Sequence, residues 1–174
     1  FIELFNSSTT ASFDLSGWRI EGIGYTFPAG SILAANQYWV LARSRIDFEL
    51  AYGPRIVVFD EFPGSLDNNG EHLALIKPGN TPAEEVRITD VRYSDHAPWS
   101  TDADGKGSSL QLIDAKADPY RAGNWATAPT NSVNRITPGA ANSVRQAVGA
   151  FPLLWLNEVQ PNNISGPVDN AGDH

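Results

Sequence analysis

The segment that decides the fold is Phe1-Ile-Glu-Leu-Phe-Asn6, followed by Asp14-Leu-Ser-Gly-Trp18 and Tyr25-Thr-Phe-Pro-Ala-Gly30. Residues 1–5 form an apolar strand pattern, and the serines, threonines, glycines and prolines behind them mark turns. Because the chain begins on a phenylalanine inside such a strand, we expect a fragment of a longer polypeptide or a mature form whose start has been removed. At 174 residues, one domain with part of a second is the default expectation.

Short apolar segments divided by turn residues continue along the chain and predict an all-β fold. We predict strands at Phe1–Phe5, Trp18–Ile20, Tyr25–Phe27, Ser31–Leu33, Tyr38–Ala42, Ile56–Phe59, His72–Lys77, Glu84–Tyr93, Ser109–Ile113 and Leu153–Val159. One short helical turn is predicted near residues 45–52, where Ile46 and Leu50 stand four positions apart and Gly53-Pro54 ends the helix. Phe48 or Tyr52 would hold that helix against the core.

Two turn signals predict how three of these strands pair. Asn69-Gly70 is a strong signal for a tight hairpin, and Lys77-Pro-Gly-Asn80 provides a second turn. The strands at 56–59, 72–77 and 84–93 are therefore predicted to be consecutive antiparallel neighbours. A bulge near Thr89-Asp90 would restore one buried face to the last of them.

Composition excludes several classes of function. A net charge of −8 and a pI near 4.7 disfavour nucleic acid as a partner, since the 12 lysines and arginines are dispersed among 20 acidic residues. The absence of cysteine excludes disulfides, thiol catalysis and zinc–thiolate sites. No apolar run approaches the roughly 18 residues of a membrane span, so membrane insertion is not expected. Few lysines and many small polar residues favour an extracellular setting.

Eight motifs in this order resemble the lamin tail domain, in the branch found in large secreted or surface proteins of bacteria. They are Phe1–Asn6, Asp14–Trp18, Tyr25–Gly30, Tyr38–Ala42, Leu66–Glu71, Ala97–Trp99, Asp104–Leu110 and Thr137–Gly139. The resemblance implies an immunoglobulin-like β-sandwich over residues 1–143, no catalytic residues and no cofactor. It also implies an extracellular or cell-surface interaction module whose partners are proteins, neighbouring domains of the same chain among them.

The resemblance also draws attention to the C-terminal segment. Members of the family open with an apolar strand ahead of the Phe-Ile-Glu-Leu strand, and Leu153-Leu-Trp-Leu-Asn-Glu-Val159 is similar to that opening strand. We therefore interpret residues 144–152 as a linker and residues 153–174 as the first strand and loop of a following tandem repeat. Residues 153–159 are predicted to complete the sandwich, either in cis or by strand exchange in a dimer.

Exposed aromatic residues would support a second hypothesis, a carbohydrate-binding module that takes a polysaccharide. Structural roles are expected for Trp18, Trp125 and Trp155, which leaves Trp39 and Trp99. The candidate ligand surface is therefore Trp39, Trp99 and the nearby His96.

Catalytic and metal chemistry have weaker support. Ser94, Asp95 and His96 are adjacent in sequence, which is not the geometry of a catalytic triad, and no Gly-x-Ser-x-Gly motif occurs. Asp102 and Asp104 resemble half of a calcium loop, but the position that should supply its final acid is Ile113. Among three hypotheses, an interaction module ranks first, a carbohydrate-binding module second, and an accessory domain of a hydrolase last.

Overall fold

A computed structural model describes residues 1–149, so the predictions for residues 153–174 lie outside the described residues. The described part contains eleven short strands and one α-helix, in agreement with the all-β prediction. In chain order they are β1 (Ile2–Phe5), β2 (Phe13–Asp14), β3 (Arg19–Glu21), β4 (Tyr25–Thr26), β5 (Ile32–Leu33), β6 (Tyr38–Ala42), α1 (Arg45–Tyr52), β7 (Val58–Glu61), β8 (Gly70–Lys77), β9 (Val86–Ser94), β10 (Gln111–Leu112) and β11 (Trp125–Ala126). Within these residues, no helix has the length and apolarity to cross a bilayer.

Two sheets face each other across the main core. One has the order β4-β3-β8-β9, and the other has the order β1-β6-β7. Buried residues of both sheets share one cluster, to which β3 contributes Ile20, β8 contributes Leu75 and β6 contributes Trp39 and Leu41. This arrangement confirms the predicted sandwich.

Strand β6 is buried on both faces. Its side chains alternate between the main core, reached by Trp39 and Leu41, and a second cluster that contains Val40 and Ala42. Phe48 of α1 belongs to that second cluster, so the helix covers the outer face of this sheet. The helix also connects β6 to β7, and a crossover of this kind explains why these two strands are parallel.

The hairpin predicted at Asn69-Gly70 is wrong, because β7 pairs with β6 and not with β8. The segment around Asn69-Gly70 instead carries the chain from one sheet to the other. The second predicted hairpin is confirmed, since β8 and β9 are antiparallel. Their register shifts where Leu75 faces Thr89 and Ile76 faces Arg87, leaving Ile88 as the extra residue of a bulge one position from the predicted site.

Residues 109–143, which we call the wrap, are held to one another by hydrogen bonds between side chains and backbone. Gln111, almost fully buried, donates to the Arg135 carbonyl at 3.1 Å and accepts the Ser143 N–H at 2.8 Å. Trp125 donates from its indole N–H to the Pro119 carbonyl at 2.8 Å, which confirms its predicted role as an anchor. These bonds fix a segment that has little regular secondary structure of its own.

Candidate interaction surfaces

Two of the residues predicted to form a ligand surface are buried, and the expectation that they are exposed is wrong. Trp39 is 5 % exposed and its ring stacks on Phe59 with centroids 3.7 Å apart. Trp99 is 8 % exposed and packs beside Trp125, with centroids 6.3 Å apart. Trp39 is buried because strand alternation places it on the inner face of β6, and neither indole presents a ring face on which a sugar could stack.

His96 is the exposed member of the predicted surface, since 81 % of its side chain is accessible to solvent. Its ring nitrogen Nδ1 bonds to the Asp95 carboxylate, and its backbone carbonyl accepts the Trp99 N–H at 3.0 Å. The Ser94 hydroxyl accepts the backbone N–H of His96 and does not bond its imidazole. The structure therefore brings Ser94, Asp95 and His96 together as a turn, in a geometry that differs from that of a catalytic triad.

The half calcium loop places Asp102 beside a cation of the protein itself. The Lys106 ammonium lies 3.7 Å from the Asp102 carboxylate, and Ser100 caps the short 3₁₀ turn at Thr101–Ala103. Within residues 1–149, no group of three or more histidine, aspartate or glutamate side chains is arranged to hold a metal ion.

The outward face of α1 exposes two large aliphatic side chains. Ser44 caps the helix by accepting the Asp47 N–H at 3.2 Å, and Phe48 points into the second core cluster. Ile46 and Leu50, four positions apart, share the opposite side of the helix and are 72 % and 82 % exposed. We call this pair the helix face.

A shallow apolar pocket of about 270 Å³ lies beside the same helix. Its lining residues come from the helix C-terminus, the loop after it and the wrap, namely Ala51, Tyr52, Ile56, Ile136 and Pro138. Tyr52 packs against Phe48, so the pocket lies on the core side of α1 and does not adjoin the helix face. Asp47 and Glu49 flank Phe48 in the sequence and add two carboxylates to the helix. An apolar partner surface with basic groups at its margin would suit the helix face and these acidic residues.

The outer face of β1 carries an acidic residue with a strongly perturbed pKa. Burial raises the pKa of Glu3 to about 7, although a hydrogen bond from the Gly139 N–H to Glu3 Oε2, 2.5 Å long, acts in the opposite direction. Burial also raises the pKa of Tyr38, and the nearby charge of Glu3 adds to that shift. Glu3 therefore changes its charge near neutral pH at the contact between β1 and the wrap.

A bidentate ion pair lies on the opposite sheet. Arg19 of β3 donates to both carboxylate oxygens of Glu85, each at 2.7 Å, and to Glu21 at 2.9 Å. The Arg19 guanidinium lowers the pKa of Glu85. The pair ties the start of β9 to β3 across the intervening strand β8.

The helix face was not predicted from the sequence. The four-residue spacing of Ile46 and Leu50 indicated a helix, and it was taken to mean that both side chains face the core. The signal was present in the sequence: Phe48 lies two positions from each of them, and residues two apart on a helix do not share a face. Once Phe48 is assigned to the core, Ile46 and Leu50 must point outward.

Comparison with known proteins gives one match. A family model described as Lamin Tail Domain matches residues 1–118, which is more than half of the chain. The matched range runs from β1 through β10 and includes the helix face. Searches of curated proteins and of solved structures gave no match.

Proposed function

The chain belongs to the lamin tail domain family, and from this premise we propose that it is a non-catalytic module that tethers a larger protein through protein–protein contacts. The family is an immunoglobulin-like domain family associated with protein interaction and not generally with catalysis. The observation that carries the proposal is the helix face, where Ile46 and Leu50 are 72 % and 82 % exposed on the side of α1 opposite its one buried residue, Phe48.

Exposed aliphatic pairs of this kind favour association with another protein. Full burial of a leucine or isoleucine side chain contributes roughly 1.5–3 kcal/mol. A partner that covers Ile46 and Leu50 would therefore gain favourable binding free energy from both side chains. The carboxylates of Asp47 and Glu49 favour a partner with basic residues around its apolar contact.

The proposal extends to the setting of the module. We place it in a secreted or cell-surface multidomain protein of a bacterium, beside at least one further copy of the domain. What supports this is the low lysine content and the similarity of residues 153–159 to the opening strand of the family. Neighbouring domains of the same chain are then natural protein partners.

The carbohydrate-binding hypothesis loses the residues on which it depended. Trp39 and Trp99 lie in the interior, and His96 alone provides no stacking platform. No observation in the described part of the chain favours the accessory domain of a hydrolase. We therefore propose neither a carbohydrate-binding module nor the accessory domain of a hydrolase.

Site-directed photo-crosslinking tests the proposal. Benzoylphenylalanine would replace Leu50 in one variant and the exposed Thr10 in a matched control, both in the full chain within the cells that produce it. We expect a discrete protein adduct from position 50 that is absent from position 10, and we expect Ile46→Lys to abolish it. Equal adducts from both positions, or an adduct that survives Ile46→Lys, would refute a specific contact at the helix face.

A further inference from the structure

The segment between β7 and β8 presents an asparagine amide to solvent directly ahead of a glycine nitrogen. The dipeptide Asn69-Gly70 is the single Asn-Gly of the sequence, and Asn69 is exposed. A backbone nitrogen that follows an asparagine can close a cyclic imide on the side-chain Cγ, and such an intramolecular attack is far more effective than one between separate molecules. Asn69 is therefore a candidate for covalent change by its own backbone.

The nitrogen of Gly70 is accessible to this chemistry. Glycine has no Cβ, so no side chain of residue 70 shields the nitrogen from the Asn69 carboxamide or from hydroxide. The Gly70 N–H donates to the Asp67 carbonyl at 3.3 Å, which is longer than the usual range of about 2.7–3.2 Å. This N–H therefore loses little hydrogen-bond energy when it gives up its proton.

The side chain of Asn69 is held only by exposed hydrogen bonds to one carboxylate. Its Nδ2 donates to Asp67 Oδ1 at 3.2 Å, and its backbone N–H donates to the same oxygen at 2.8 Å. Water competes for hydrogen bonds on the surface, so their net contribution is small. The carboxamide can therefore leave Asp67 and turn toward the Gly70 nitrogen.

Other asparagines of the described chain lack this combination. Asn6 and Asn124 are buried, and their side-chain amides donate to backbone carbonyls. The Asn142 amide is bonded in the same way, at 2.9 Å. Asn131 is exposed, but the residue that follows it is Ser132, whose side chain crowds the nitrogen. Asn131 is therefore a matched control for exposure without a following glycine.

From these observations we propose that Asn69 deamidates spontaneously and becomes isoaspartate or aspartate. The Gly70 nitrogen loses its proton to hydroxide and forms a bond to Asn69 Cγ, and the bond between Cγ and Nδ2 breaks. The departing nitrogen takes a proton from water and leaves as ammonia, which regenerates the hydroxide. Water then opens the cyclic imide at one of its carbonyls. Opening at the main-chain carbonyl gives isoaspartate, and opening at the side-chain carbonyl gives aspartate.

Either product places a new carboxylate in an acidic neighbourhood. The Nδ2 atom that donates to Asp67 is replaced by an oxygen that cannot donate, so two carboxylates then face each other. The Tyr93 hydroxyl donates to the Asp67 carbonyl at 2.8 Å and lies 3.5 Å from Glu71 Oε2. Burial raises the pKa of Tyr93 to about 12, and the charges of Glu71 and Asp67 add to that shift. The modification therefore adds repulsion where acidic charges already act on each other.

Isoaspartate also lengthens the main chain at the point where β8 begins. Gly70 pairs with Ser94 of β9, and a Cβ atom at Gly70 would lie 2.5 Å from the Tyr93 carbonyl oxygen. The additional backbone methylene displaces Gly70 from this close contact. The first pair of the ladder between β8 and β9 should therefore loosen in the isoaspartate form.

Peptide mapping by mass spectrometry tests the site in the full chain, kept folded at pH 8 and 37 °C. Replacement of the amide by a carboxyl group adds about 1 Da, and the peptide that contains Asn69 should gain this mass at least tenfold faster than the peptide that contains Asn131. The rate should rise with pH, because the attacking nitrogen must lose its proton. Equal rates at the two asparagines would overturn the proposal. So would a rate at Asn69 more than a hundredfold below that of the same chain unfolded in urea, since the fold would then protect the site.

Two variants complete the test. Asn69→Gln lengthens the side chain by one methylene and disfavours ring closure, so the mass gain should disappear, and a gain that persists would place the reaction at Asn68. Asn69→Asp introduces the charge without lengthening the main chain. The isoaspartate form, separated by anion exchange, should unfold at a lower urea concentration than Asn69→Asp, and Asn69→Asp at a lower one than the wild type. Equal midpoints for the first two would contradict the loosening of the ladder.

Discussion

Gly139 donates its backbone N–H to the carboxylate of Glu3, a contact that joins two residues 136 positions apart in the sequence. It fastens the end of the wrap to the outer face of β1. Because that carboxylate is partly removed from water, the contact combines a hydrogen bond with the cost of burying a charge. The balance between these two effects depends on pH.

The stability of the domain should fall as the pH rises through the titration of Glu3. The pKa of Glu3 is about 7 in the folded protein against an ordinary value of 4.5, so the folded state binds this proton more tightly than the unfolded chain. The stability that neutral Glu3 contributes is complete below pH 4.5 and is lost as the pH passes about 7. After a discount for partial exposure, we expect a loss of about 1–2 kcal/mol.

Denaturant titrations of the wild-type chain and Glu3→Gln at several values between pH 5 and 8 measure this effect. The glutamine retains an acceptor for the Gly139 N–H but does not titrate. The difference in unfolding free energy between the two chains should therefore change with pH in the stated direction. Parallel curves across this range would show that Glu3 ionises normally.

Truncation of Phe48 to alanine should cost much more unfolding free energy than truncation of Leu50, although the two residues lie two positions apart on one helix. Phe48 is buried in the second core cluster, and removal of such an aromatic side chain costs about 3–5 kcal/mol. Leu50 is 82 % exposed, so Leu50→Ala should change the unfolding free energy by less than about 0.5 kcal/mol. Urea unfolding of the two variants makes the comparison, and a large loss for Leu50→Ala would place that side chain in an intramolecular contact.

Trp39→Ala should destabilise the domain severely. The indole stacks on Phe59 at 3.7 Å between centroids and belongs to the main core, so we expect a loss of about 3–5 kcal/mol. Tyr120→Ala is the matched control, because this ring is 52 % exposed and lies perpendicular to the His72 ring with centroids 6.5 Å apart. Thermal unfolding followed by circular dichroism should show a large drop in Tm for the first variant and a small one for the second.

Gly22 and Gly24 should differ in their tolerance of alanine. Both have positive φ, at 96° and 65°, so alanine strains the backbone at either position. At Gly22, however, a Cβ atom would lie 2.7 Å from Leu73 Cδ2 and 2.8 Å from the His72 carbonyl oxygen, whereas at Gly24 it would meet open space. Gly22→Ala should therefore lose clearly more unfolding free energy than Gly24→Ala in the same urea titration.

Much of the local structure could be predicted from the sequence because it depends on local chemistry. The strands at 38–42 and 72–77, the helix capped by Ser44 and the turn after Lys77 all follow from periodicity and turn residues. The partner of β7 could not be predicted this way, since the crossover through α1 is a long-range choice. Asn69-Gly70 has the residues of a hairpin turn, yet the strands on either side of it belong to different sheets.

The candidate site was harder to predict than the fold. The burial of Trp39 was accessible in principle, because the run Tyr38–Ala42 is apolar on both parities and such a strand leaves neither face to solvent. Trp99 lies in a loop without periodicity, so no pattern in the sequence indicates that it packs against Trp125. The helix face is defined by which side of α1 the second core cluster occupies, and that cluster includes Val40 and Val58 of the two strands that the helix connects.

The bulge at Ile88 limits how copies of this domain can misassemble. Strand β9 is nine residues long and lies at the edge of its sheet, with Val86 and Ile88 exposed, which would otherwise make it a template for cross-β stacking. The extra residue bends the strand and breaks its ladder, and Arg87, Asp90 and Arg92 place charges along it. The bulge and these charges therefore disfavour backbone pairing between the β9 strands of two copies of the domain.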